Sequence, residues 1–245
     1  MIAILLIAVF VTAAISGIFG MAGGLMLMGV LAFIMPVPAA MVTHGLVQSV
    51  SNGSRALFLL RHVRWDVMGY YVIGAAAAVG ALALAAFTPS RFMVFVLLGL
   101  LPGLLWIPKS WFEFDAAKPL HAAACGLGVT GMNVAAGVSG PLLDLFFVRT
   151  PLTRHEIVAT KAASQVIAHG VKIAYYGAPM LAGASAAGLP PLWVLALATP
   201  LAIAGTWAGT RVLNLFSDAN FKKWTRLIVT GIGVIYLARA VLLAV

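Results

Sequence analysis

Apolar runs about as long as a bilayer is thick follow one another along almost the whole chain, and this pattern restricts the fold more than any single motif. With 63% hydrophobic and 9% charged residues and a mean hydropathy of +1.08, 245 residues carry too much apolar surface for one soluble core. In hydrocarbon every backbone N–H and C=O must be bonded within the protein, and no segment reads as strand. The expected class is therefore an all-α polytopic membrane protein. The net charge of +9 does not point to nucleic acid, because Lys and Arg occur singly or in pairs between apolar runs, as loop charges that set orientation do. The first run has no basic flank before it and continues past signal-peptide length, so it is expected to belong to the mature fold. Cys125 cannot form an internal disulfide and reads as a small apolar residue. No Walker-type phosphate loop or zinc-type Cys/His cluster occurs, so neither a cofactor nor a metal is expected.

Two runs are interrupted in the same way. Residues 120–147 are broken by Gly137-Val138-Ser139-Gly140-Pro141. Glycine weakens a helix and proline suits a first turn, so one helix is expected to stop here and a shorter one to start at Gly140. Residues 2–35 are broken by Gly20-Met21-Ala22-Gly23-Gly24, with a helix expected to restart at Gly24 and with Pro36 and Pro38 ending the run. Irregular backbone at membrane depth survives only against protein or a polar cavity, so each break marks a candidate site.

Three helical segments follow each break: residues 39–60, 66–87 and 90–107 in the first half, and 153–176, 190–213 and 220–243 in the second. The joints of the second half are 149–154, 177–189 and 214–219. The chain reads as a first transmembrane repeat over 1–107, a polar connecting loop over 108–118 and a second repeat over 119–245, within one integral membrane domain. Sliding the halves by 117 positions (137 − 20) sets Gly20 on Gly137, Gly23 on Gly140, Leu25 on Leu142, Thr43 on Thr160, Gln48 on Gln165 and Gly53 on Gly170 without a gap. The same shift pairs His44 with Lys161, Asn52 with His169 and Arg55 with Lys172, so the polar residues that are costly in lipid recur together.

Corresponding joints carry opposite charge. Arg61-His62-Val63-Arg64 is basic where 177–189 is uncharged, and 35–38 is uncharged where the counterpart carries Arg149 and Arg154. Under the positive-inside rule such loops lie on opposite faces, which makes the repeats inverted. Inversion needs an odd number of crossings per half, and three spanning helices satisfy it if each broken run is a re-entrant hairpin, the first entering from outside and the second from the cytoplasm. Both termini are then outside the cytoplasmic (inner) membrane.

In that geometry the helices restarting at Gly24 and Gly140 aim their N-termini at the midplane, and two converging N-termini favour an anion. Gly20, Ala22, Gly23 and Gly137 permit close approach, and the Ser139 hydroxyl adds a donor. The helix after each break supplies side chains: His44, Gln48, Asn52 and Arg55 lie on one helical face, and Lys161, Gln165, His169 and Lys172 repeat the spacing. Charged groups inside a span normally face a cavity. Arg55 and Lys172 lie towards opposite ends of their helices, as vestibule or coupling residues or as side chains that snorkel. Asp144, the one acid well inside an apolar run, is placed to pair with Lys161 or to carry a proton. Asn133 is placed to cap or line the second break, and Asp66, Glu156 and Asp218 fall at helix starts, where carboxylates cap. The expected partners are a small anionic substrate, the lipid bilayer and a coupling ion, proton or sodium.

Gly17-Ile18-Phe19-Gly20-Met21-Ala22-Gly23-Gly24, Gly137-Val138-Ser139-Gly140-Pro141 and the Ala/Thr-rich helix after each resemble the TauE/SafE family of sulfite and organosulfonate exporters. Val138 and Ser139 depart from that family's run of glycines. The resemblance implies a secondary transporter, not an enzyme, that moves a small sulfur-containing oxyanion, sulfite or an organosulfonate such as sulfoacetate, across the cytoplasmic membrane without ATP hydrolysis. A rival reading is an intramembrane serine protease, with Ser139 of a Gly-x-Ser-Gly sequence as nucleophile and His169 as base.

Overall fold

In the computed structural model residues 2–19, 21–111, 113–182, 188–213 and 218–244 are described, and among them all regular structure is helical. Helix α1 spans Ile2–Phe19 and α2 spans Met21–Ile34; α3 is Val37–Phe58, α4 Trp65–Leu84 and α5 Arg91–Leu100, which tightens into a 3-10 turn at Leu101–Leu105. The second half repeats the order with α6 (Pro119–Ala136), α7 (Gly140–Phe147), α8 (Arg154–Leu181), α9 (Leu192–Leu213) and α10 (Asp218–Ala244). Four helical stretches, Ile2–Phe19, Trp65–Leu84, Leu192–Gly209 and Trp224–Ala244, are long and apolar enough to cross a membrane. The protein is a polytopic membrane protein.

Local chemistry accounts for the helix ends. Ser90 accepts from the Met93 N–H at the start of α5, and Thr153 with Glu156 forms a capping box on α8. Proline sits in the first turn of α3, α6 and α7, where its missing N–H costs nothing. Asp66 falls in the first turn of α4, bound to Arg64. Two expected boundaries are corrected. Residues 90–107 are not one α-helix, since Pro102 turns the chain into 3-10 geometry after Leu100. Helix α8 runs on to Leu181 instead of ending at 176, because Pro179 lies in its last turns and removes only one donor.

The second break matches expectation. Helix α6 stops at Ala136, Gly137 takes the left-handed conformation at φ +80° as its cap, and α7 starts at Gly140. The first break differs: α2 begins at Met21, not Gly24, so Ala22, Gly23 and Gly24 lie in its first turn. No proline forces a later start, and Gly23 has a packing task instead. Its Cα faces the Thr12 carbonyl and Ser16 of α1, so only a residue without a side chain lets α2 fold back against α1. Gly20 lies outside the described residues. The second pair of arms is unequal: α6 is about 27 Å long and α7 about 12 Å, too short to cross hydrocarbon.

Packing interleaves the halves. Helix α1 lies along α9 and α6 along α4; α3 packs on α8, and α5 on α10. Glycines bring the backbones together. Gly205 and Gly209 approach the Phe10 and Ala14 carbonyls, Gly74 and Gly126 approach those of Ala123 and Tyr71, and Gly99 faces Gly233. One buried cluster draws on α1, α2, α3, α5, α9 and α10 with Val134 and Ala136 of α6 and Tyr176 of α8, and another on α4, α6, α7 and α8.

Candidate functional site

Helices α3 and α8 cross antiparallel, with Gly45 against Ile173, Gly53 facing Val166 and Gly177 facing Val42. Their polar stripes therefore meet, His44 near Lys172 at one end, with Arg55 and Lys161 towards the other. A cavity of about 460 Å³ opens between them. Its wall includes Gly24 from the first turn of α2, His44, Gln48, Asn52 and Arg55 from α3, Gly140 and Asp144 from α7, and Lys161, Gln165 and His169 from α8. These ten were expected from the sequence.

At the end away from Arg55 a chain of hydrogen bonds joins the two halves. Lys172 Nζ donates to the Gly137 carbonyl at 2.7 Å and to His44 Nδ1 at 2.9 Å. His44 Nε2 lies 3.0 Å from the Gly24 carbonyl, so this nitrogen carries the proton and Nδ1 is the acceptor. The His169 ring meets His44 edge-on at 5.5 Å, and its Nδ1 has no hydrogen-bond partner among the described residues. At the other end Lys161 and Asp144 form an ion pair in the wall, each side chain 31% exposed.

Several expected site residues do not face the cavity. Ala22 is fully buried in helix packing, and Gly23 serves the α1 contact. The Cα of Gly137 faces Met28, and its contribution is the carbonyl that Lys172 holds. Lys172 is not a vestibule residue. Its side chain is 0% exposed, because the break opposite supplies a carbonyl in place of water. Ser139, also 0% exposed, is bonded to Asn133 and Gln165 and is not presented to the cavity as a donor. No hydrogen bond joins it to His169 among the described residues, so the protease reading lacks both a base and an accessible nucleophile.

Sequence reasoning missed Ser16, Thr225 and Arg226, which also line the cavity. The Arg226 guanidinium lies 5.7 Å from the centre of the Trp106 ring. It reads as a loop charge along the chain, and only the packing of α10 brings it to the wall. A signal for Ser16 existed in the repeat, since the shift of 117 (133 − 16) sets it opposite Asn133, the residue that bonds the second break.

Residues 5–236 match the model of a family described as sulfite exporter TauE/SafE. The chain belongs to this family. No curated protein and no solved structure matches it. The TauE/SafE family is one of transporters, and the assignment points to a membrane transporter of the sulfite-exporter type, in accord with the apolar spans and with a cation-bearing cavity.

Proposed function

We propose that the protein is a secondary transporter of a small sulfur-containing oxyanion, sulfite or an organosulfonate such as sulfoacetate, working as an exporter. The observation that carries this is the cavity between α3 and α8: Arg55, Lys161 and Arg226 line it against one carboxylate, Asp144, and the first turns of α2 and α7 border it through Gly24 and Gly140. An oxyanion leaving water must recover its solvation from donors and positive charge. Cationic side chains, the Gln48, Asn52 and Gln165 amides, and helix N-termini supply both.

In the inverted topology read from the loop charges, the Arg55 and Arg226 side of the cavity faces the cytoplasm. The Lys172–His44 side faces outward, which suits collection of anions from inside. The interleaved packing supports two repeats, 1–107 and 119–245 joined by 108–118, because α1 on α9 and α6 on α4 are equivalent contacts under exchange of the halves, and the antiparallel crossing of the equivalent helices α3 and α8 supports their inversion. The site then lies near the midplane of the cytoplasmic membrane, with both termini outside. The test is flux into proteoliposomes for sulfite, sulfoacetate, taurine, thiosulfate and chloride, with and without a proton gradient. Flux of a sulfur oxyanion well above chloride is expected. Leakage no faster than in protein-free vesicles for the whole panel would refute the reading.

A further inference from the structure

We propose that Lys172 and His44 form a proton site coupled to the anion cavity, so that each anion bound brings one proton with it. This deepens the transporter reading and rests on it. Lys172 is fully buried and has no carboxylate partner among the described residues. Among the described residues, Asp66 and Glu156 are paired with Arg64, and Asp144 with Lys161. Its two acceptors, the Gly137 carbonyl and His44 Nδ1, match the two N–H groups of a neutral amine. An ammonium would leave a third N–H unbonded and a whole charge uncompensated away from water.

The surroundings leave few other groups to take the proton. From α3 the facing group is His44, whose two nitrogens are both engaged. From α8 itself it is His169, stacked edge-on against His44; the Tyr176 hydroxyl donates to the Val134 carbonyl of α6. The α6–α7 break offers only the Gly137 carbonyl. Helix α4 meets α8 at Ser164 through Met68 and at Tyr175, whose hydroxyl donates to the Leu82 and Phe87 carbonyls, and it carries Asp66 at its far end, held by Arg64.

His44 and His169 line the cavity, and Lys172 lies behind His44. An anion in the cavity supplies the missing countercharge and favours the ammonium. The step is a simple protonation: the Nζ lone pair takes a proton from hydronium reaching the cavity, one O–H bond of the donor breaks as the N–H bond forms, and water is left behind. A monoanion then moves with no net charge and a dianion with one negative charge. The same amine holds the Gly137 carbonyl, so a turn of the ammonium towards the anion loosens the second break from α8.

The test is calorimetric titration of the full-length protein in detergent with sulfate and with methanesulfonate, which take up no proton near neutrality. It is run in two buffers of different ionisation enthalpy. The wild type is expected to take up one proton per anion, with a Kd that rises up to tenfold per pH unit. Lys172→Met should bind without proton uptake and without that pH dependence, whereas Lys161→Gln should bind more weakly and still take up the proton. Should Lys172→Met fail to fold, Lys172→Arg, with its fixed charge, must likewise show no uptake. Anion binding by the wild type without proton uptake overturns the inference and leaves the transporter reading standing. Uptake that survives in Lys172→Met overturns it as well, and no binding of either probe removes the anion site and the proton site together.

Discussion

Asp144→Asn should tighten anion binding, although it removes a polar wall residue of the cavity. In the resting protein Asp144 holds Lys161, so an incoming anion must compete with a carboxylate for the ammonium. Exposed ion pairs contribute about 0.2–1 kcal/mol, and with side chains 31% exposed this one belongs near the upper end, about 1 kcal/mol. The carboxylate also repels the anion. Two unit charges about 7 Å apart at an effective dielectric near 40 repel by roughly 1.2 kcal/mol. Together these come to about 2 kcal/mol, or roughly thirtyfold in Kd. Lys161→Gln should act oppositely, losing a charge-assisted hydrogen bond of roughly 1.5–3 kcal/mol and weakening binding about ten- to a hundredfold. The assay is calorimetric affinity for sulfate on both single variants and the double variant, with melting temperature measured alongside. Weaker sulfate binding by a stable Asp144→Asn protein would refute the reasoning, and so would singles that lose stability and a double that regains it without any change in affinity, the signature of a purely structural pair.

Adjacent glycines should give opposite results. Gly23→Ala drives a methyl into the Thr12 carbonyl and Ser16, and overpacking of about 1–3 kcal/mol should lower the melting temperature; Gly24→Leu meets mainly the flexible Gln48 amide, so it should keep the fold and abolish anion binding. Inverted topology predicts that a cysteine at Ser185, but not one at His62, labels with an impermeant maleimide in intact cells of a Cys125→Ala background; equal labelling would remove the case for inversion. Acid should weaken the α3–α4 joint. The Asp66 carboxylate accepts from the Arg64 guanidinium and the Glu156 carboxylate from the Thr153 N–H and hydroxyl, so protonating either one as the pH falls removes a charged acceptor. The Asp66→Asn, Glu156→Gln double variant should therefore show a flatter melting temperature between pH 7 and 3, and an unchanged slope would exclude these carboxylates as the cause.

Much of the architecture is local and so legible in one dimension. Run length and apolar content determine membrane helices, because lipid leaves the backbone no other partner. Gly137 and Pro141 determine the second break, since a left-handed cap and a first-turn proline depend on the residues themselves. The stripes His44–Arg55 and Lys161–Lys172 follow from helical period alone. Tertiary structure decided which groups face the cavity. Gly23 and Gly24 are chemically identical, and only the path of α1 assigns one to packing and the other to the wall. Lys172 and Lys161 look alike in spacing and composition. The antiparallel crossing of α3 and α8 seals the first behind His44 and leaves the second beside Asp144. Arg226 is brought to the cavity by the packing of α10 across the halves, a contact between residues distant in sequence that periodicity cannot encode.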